Sequence, residues 1–461
     1  MLATLGRGAT SVAEMQKAAA AMVKESRGNC SSATKMMARA GTSGKHPNNI
    51  ERDIMRHLGL PLPIHWITVP VLSARDRKTR SELRLPYLMP HELVHYLHET
   101  QQVQIMQESV NEFWAHAAQH TDWAAHHEGF GTMPLGGLQM RYPLMNLREF
   151  ICLGPETLNP VMEVLSWSFG QLAAGGRHYL IEMRGDWKWQ KAFFCLKPRP
   201  ANPLILVPGF RPEFIRICAM HTLHLGVLQL LNGSIFTLLE DLCWFRADDA
   251  GPSIKLPEKM ILLCSRFKSW ASANQLKHSQ ATMTSGMLGF EGGAYPSLNL
   301  KAWNSRLFVV FFEVVLKELV ARDTAAGNEL LCKELKLASA ATTAMCAFLA
   351  GMEASPRYMS DEQCRYLHES MQSFLELYEV LIATSLARGT ARWKAVPKHH
   401  LAWHLVEEMD RSHYNVRFYH SFIDEDYIGQ WKLLAQSVPR DLLEYRCLTR
   451  YLLRLGTKGG I

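Results

Sequence analysis

The sequence has no apolar run of the roughly 18 residues a bilayer-crossing helix needs. Its best candidate, Leu307 to Leu316, is short and broken by Glu313, so a membrane-spanning protein is not expected. Met1 to Ala21 lacks a charged head followed by an apolar stretch, which argues against a secretory signal and for a nuclear or cytoplasmic location. The 10 cysteines fall singly and never as C-x-x-C, so they read as reduced core thiols rather than a disulfide framework or a zinc ribbon. A dense basic stripe is also missing. With 50 Lys+Arg against 43 Asp+Glu the net charge is +7, which permits DNA as a partner without requiring it and identifies no protein partner. No repeat of fixed period stands out. From Met1 to Gly44 there is no aromatic residue, so residues 1–45 read as a flexible or weakly helical tail.

Apolar material is plentiful elsewhere. Hydrophobic residues are 48% of the 461, with 12 Trp and 19 Phe, enough for one large core or two. After the tail, residues 46–128 read as a mixed α/β region. It contains a strand over Ile64 to Leu72, a helix over His91 to His98 with Pro90 in its first turn, and a second helix over Val110 to His127. Residues 129–250 hold two expected strands. Arg177 to Gly185 alternates with period two and stops at a glycine, and Leu204 to Val207 reads as a short buried strand after a proline-marked connection. Ile215 to Leu239 then reads as mostly helical. Residues 251–461 are dominated by helical patterns at Trp303 to Ala321, Leu330 to Met352 and Asp361 to Ala387, the last capped by Ser360 and ended by Gly389.

Four constellations carry possible chemistry. His91-Glu92-Leu93-Val94-His95 matches H-E-x-x-H, which puts two imidazoles on one helical face with Glu92 as the base, and Glu112 is available as a third ligand. This is the pattern of a Zn²⁺ peptidase, although Leu93, Val94 and Leu97 explain the helix equally well by packing. Asp186 follows the strand ending at Gly185, where a carboxylate either holds Mg²⁺ or Mn²⁺ for phosphoryl transfer or caps a helix. His400 and His404 share a face at i, i+4 without a matching ligand set. Asp424-Glu425-Asp426 attracts a cation or begins a helix.

Nine segments resemble a known family and occur in its order: residues 46–53, 88–93, 134–136, 185–189, 208–210, 220–226, 301–306, 397–400 and 422–426. Among them are His46-Pro47-Asn48-Asn49, Gly185-Asp186-Trp187-Lys188-Trp189 and Phe422-Ile423-Asp424-Glu425-Asp426. Over residues 46 to 455 the chain is similar to the multicopy DDE-transposase-like proteins of mobile-element origin that abound in dinoflagellate genomes. The resemblance implies an α/β core, ribonuclease-H-like and truncated here, followed by a mainly α-helical carboxy-terminal half. It also implies DNA strand cleavage and transfer by two divalent ions, with Asp186 as the carried-over ligand. Two departures mark a degenerate copy. Gly137-Leu138-Gln139-Met140 stands where relatives have a glycine and aspartate on the first strand, and a cysteine- and histidine-containing stretch is missing before Pro208-Gly209-Phe210. Of the acids between Glu128 and Asp186, Glu149 alone is a substitute ligand, if Leu147 to Cys152 forms a strand and Arg148 does not neutralise it. Glu156 and Glu163 flank a proline-interrupted stretch, Leu158-Asn159-Pro160, that reads as turn and helix start. The readings left open are an impaired transposase with residual DNA binding, the Zn²⁺ peptidase, and a non-catalytic interaction remnant needing no cofactor.

Overall fold

The computed structural model describes residues 5, 10–42, 49–102, 107–120, 143–174, 183–185, 203–211, 214–246, 254–291, 295–325 and 327–458. Helix predominates. Three helices, α1 (Val12–Glu25), α2 (Ser32–Arg39) and α3 (Ile50–Leu58), lead to an antiparallel hairpin of β1 (His65–Leu72) and β2 (Arg80–Tyr87). Helices α4 (Pro90–Glu99), α5 (Gln107–His120) and α6 (Pro155–Ala174) follow. A parallel pair, β3 (Met183–Gly185) and β4 (Ile215–Ile217), precedes a π-helix (Met220–Val227) that continues into α7 (Leu228–Asp241). Next come α8 (Leu256–Ala273), the hairpin of β5 (Leu288–Glu291) and β6 (Tyr295–Leu298), and the long helices α9 (Ala302–Ala321), α10 (Glu329–Ala354) and α11 (Asp361–Ala387). Helices α12 (Pro397–Ser412), α13 (Phe422–Gln436) and α14 (Leu443–Lys458) finish the chain.

The helical carboxy-terminal half is as its periodicity requires. At the start of α11, Ser360 accepts the Gln363 N–H while the Gln363 side chain accepts the Ser360 N–H, and Gly389 ends the helix region at a φ of 73°. The core of this half is a single cluster from Ala219 to Tyr419, with Phe267 stacked on Phe308 at 4.0 Å between α8 and α9. A deep ionic knot joins α10 to the segment that follows α11. Glu334 of α10 is fully buried and accepts from Arg392 at 2.7 Å and from Trp393 Nε1 at 2.9 Å, and Arg388 joins it. The cluster begins at residue 219 and includes side chains on both sides of residue 250.

Several expectations need correction. Of the two readings of the amino-terminal stretch, residues 10–42 take the helical one and pack: Met15, Ala19 and Met37 are buried with Ile54 and Leu453, so methionine and alanine side chains supply the burial that aromatics do not. Leu204 to Val207 is not a strand. Pro203–Leu206 is a 3₁₀ turn that leaves Leu206 73% exposed, because a short apolar run bounded by prolines does not distinguish strand from turn. Pro160 does not break its segment but lies inside α6. Two helical stretches, Met220–Asp241 and Glu329–Ala354, are long and apolar enough to cross a bilayer, contrary to the reading based on Leu307 to Leu316. They are core helices here, with 83% and 50% of their apolar windows buried.

Candidate functional site

β3 and β4 run side by side with Gly185 opposite Ile217, so their carboxyl ends open in one direction. In parallel sheets ligands gather at such ends, because the connecting loops and helix starts converge there. Beyond Ile217 the chain turns through Cys218 into the π-helix, an expanded helix type that recurs at functional sites. Lys398 donates to the Leu225 carbonyl at 2.8 Å, serving a backbone acceptor that this distorted segment leaves exposed.

The start of α13 packs against the chain leaving β4. Cys218 Sγ lies 3.1 Å from Ser421 Oγ and accepts the Ser421 N–H at 3.3 Å. It also lies 3.2 Å from His221 Nδ1, while the opposite ring nitrogen of His221 is 3.5 Å from Glu425 Oε1. Burial raises the Cys218 thiol pKa, but hydrogen bonds from His221 and Ser421 outweigh it and hold the thiol below its ordinary value. The order thiol, imidazole, carboxylate is that of a nucleophile, its base and an orienting acid. However, Cys218 is only 3% exposed, so the group acts as a latch tying β4 to α13 rather than as an accessible nucleophile. Glu425 is different: its side chain is 49% exposed in the first turn of α13, beside Asp424.

On the flank of β4 a cavity of about 370 Å³ is lined by Ile215, Arg216, Ile217, His404, Glu407 and Glu408 among others. Arg216 is held by Glu408 and lies over the Tyr419 ring at 4.7 Å. His404 bridges Glu407 at 2.6 Å and His400 at 3.0 Å, so this pair is satisfied internally as a surface network.

The expected site residues are dispersed. Asp186 lies outside the described residues, as do 134–142, where the first-strand acid would be. Glu149 belongs to a 3₁₀ turn, Glu149–Ile151, instead of a strand. Its neighbour Arg148 reaches Glu444 of α14 at 2.7 Å, so Arg148 is engaged elsewhere. Glu156 pairs with Arg80 on the surface. The H-E-x-x-H residues each have a separate partner: His91 Nδ1 is 2.8 Å from Ser168 Oγ, Glu92 is 2.7 Å from His65 Nε2, and His95 is 3.0 Å from Glu99. Glu112 is exposed on α5, where its charge acts on Tyr358. Among the described residues no three His, Cys, Asp or Glu side chains are grouped to hold a metal ion. Sequence reasoning missed Cys218 and the meeting of His221 with Glu425. The acidic run at 424–426 is the available signal, and it reads as a cation-attracting run or a helix start with nothing in it that points to residue 221. No protein-family model matches the chain, and no curated protein or solved structure matches it either.

Proposed function

We propose that this chain is a transposase-derived, DNA-binding protein whose ancestral phosphoryl-transfer site is at the carboxyl ends of β3 and β4 and is impaired. One observation carries the reading. Gly185, the residue before Asp186 in sequence, pairs with Ile217, and the chain leaving Ile217 is latched through Cys218 and His221 to the acidic first turn of α13. The end of β3 at Gly185 and the helix-borne Glu425 are thereby both tied to the end of β4, from positions more than 200 residues apart in sequence. A parallel strand pair with an acidic helix start held at its carboxyl end is what supports the reading of a truncated ribonuclease-H-like core.

The donor set is too thin for two cations. A two-metal site uses several carboxylates, typically about three, to offset the charge of both ions and the phosphate. Near the strand ends the described residues offer Glu425 and Asp424, with no group of three ligands, and the first-strand acid is replaced by Gly137-Leu138-Gln139. The residues present do not fit Mg²⁺ or Mn²⁺ in the two-metal arrangement, and no catalytic step is assigned to them.

The test is a DNA cleavage and strand-transfer assay on the full chain with Mg²⁺ or Mn²⁺, alongside binding of duplex DNA at several salt concentrations. The expected result is salt-sensitive binding without cleavage. Robust metal-dependent cleavage that disappears in Asp186→Ala and in Glu425→Gln would show the site to be competent. Absence of DNA binding at low salt would remove the DNA reading.

A further inference from the structure

We infer that the β1–β2 hairpin is the surface that binds the phosphate backbone of duplex DNA; this rests on the DNA-binding reading above and names the residues responsible for it. From Ser73 to Arg84 the sequence carries five basic side chains, Arg75, Arg77, Lys78, Arg80 and Arg84, against two acids, Asp76 and Glu82. All five basic residues are exposed. This local excess is hidden in the overall charge of +7, which is diluted over 461 residues.

The hairpin is built to hold those charges in place. Its inner face, with Val69, Val71 and Leu85 buried, packs on Val161 and Leu165 of α6, and Thr157 donates to the Pro70 carbonyl at 2.5 Å. Its tip is pinned by Asp76, whose carboxylate accepts the Lys78 N–H at 2.9 Å, the Thr79 N–H at 3.0 Å and the Thr79 hydroxyl at 2.5 Å. The acid inside the basic loop therefore serves as its brace, and Arg77 turns the corner at a φ of 56°. Two guanidinium groups sit over exposed rings: Arg77 over Phe150 at 4.5 Å and Arg84 over Trp66 at 4.8 Å. Trp66 in turn stacks on Tyr445 at 5.3 Å. Such stacking leaves the N–H edges free to donate while limiting the side-chain freedom lost on binding.

The competing partners are weak. Arg80 is paired with Glu156, but both are more than half exposed, and such a pair is worth at most about 1 kcal/mol, so a phosphate can replace the carboxylate. Arg75 and Lys78 form no ion pair among the described residues. A two-stranded ribbon also has the width that a DNA major groove of about 12 Å admits. The tip, Ser73 to Thr79, has no large apolar side chain to enter a bilayer, which favours a nucleic acid over an anionic membrane as the polyanion.

The experiment measures binding of the full chain to a labelled duplex across a salt series. The wild type is compared with Arg75→Gln/Arg77→Gln/Lys78→Gln and with a charge-matched control, Arg322→Gln/Lys333→Gln/Lys336→Gln, three exposed basic residues at the end of α9 and in α10. The tip variant should bind about tenfold or more weakly at low salt, with its log–log salt slope smaller by about 2 to 3, whereas the control should change little. Circular dichroism of the tip variant should match the wild type, since none of the three side chains is buried. Equal losses in tip and control variants would mean binding by overall charge and would overturn the hairpin assignment. Wild-type DNA binding unchanged in the tip variant would overturn the assignment while leaving the DNA reading intact. A wild type that does not bind duplex at low salt would overturn both. Vesicles rich in phosphatidylserine form the last arm: loss of vesicle binding alone in the tip variant would give the hairpin to lipid.

Discussion

His399 is an imidazole that the fold keeps neutral. It is 6% exposed, packed at 4.6 Å from the Tyr378 ring, and its Nδ1 accepts the Val396 N–H at 3.2 Å, which places the ring proton on Nε2, for which no partner is found among the described residues. Burial pushes its pKa down to about 4 from the ordinary 6.5. His224 behaves alike: burial and the nearby Arg306 lower it to about 3. The sign follows from proton counting. Below about pH 6.5 the unfolded chain takes up these protons and the folded chain does not, so stability is fully present above 6.5 and falls as pH drops toward 4. For His399 alone the loss is on the order of 3 kcal/mol across that window. Urea titrations at pH 7, 6, 5 and 4 should show this decline. His399→Asn, which keeps an acceptor for Val396 but does not titrate there, should flatten the slope by about one proton. An unchanged slope would mean that His399 is not buried neutral.

At the scale of elements, α7 crosses β6 more closely than a side chain allows. A Cβ added at Gly233 would lie 2.6 Å from Ser297 Cα and 2.8 Å from Leu298 N, both backbone atoms that cannot swing aside. Gly233→Ala should therefore destabilise by about 1–3 kcal/mol despite the better helix propensity of alanine. Gly429→Ala in α13, where nothing lies within 4 Å, should be neutral or stabilising. Chemical denaturation of both variants compares the signs, and a stabilised Gly233→Ala would refute the close approach. The same helix explains what the sequence reveals and conceals. Asn232-Gly233-Ser234 spells a turn, yet it lies inside a helix because each residue meets a different neighbour. Asn232 donates to the Ser305 carbonyl at 3.0 Å, Gly233 admits β6, and Ser234 donates to the Arg392 carbonyl at 2.9 Å. Helix signals that are local were legible: the Ser360 cap, Pro90 in the first turn of α4, the apolar period of α9. The latch of Cys218, His221 and Glu425 was not, because nothing near residue 218 says that residue 425 will fold against it.

Across the whole molecule the two ends of the chain are packed into each other. Leu448, Tyr451 and Leu452 of α14 share a core with Leu62, Leu88, Leu93 and Leu97, and Leu453 is buried with Met15 and Ile54. An ionic bond accompanies this apolar seam: Glu51 of α3, 7% exposed, accepts from Arg446 at 3.0 Å and from Arg450 at 3.3 Å, and Arg450 is itself only 2% exposed. Removing the acid would leave two cations in the seam with one carboxylate fewer, a loss of about 3–5 kcal/mol for a buried pair. The large core of α7 to α12 does not include these residues, so the damage should be confined to the assembly of the two ends. Glu51→Ala should therefore split unfolding into two steps. Limited proteolysis should cut the variant first between residues 43 and 120 and in α14, at protease levels where the wild type is intact. Fragments containing the α7 to α12 core should persist to much higher levels. Cleavage spread evenly along the chain, or a single shifted transition in denaturant, would show that the ends and the helical core unfold as one cooperative unit and that the seam is not a separate joint.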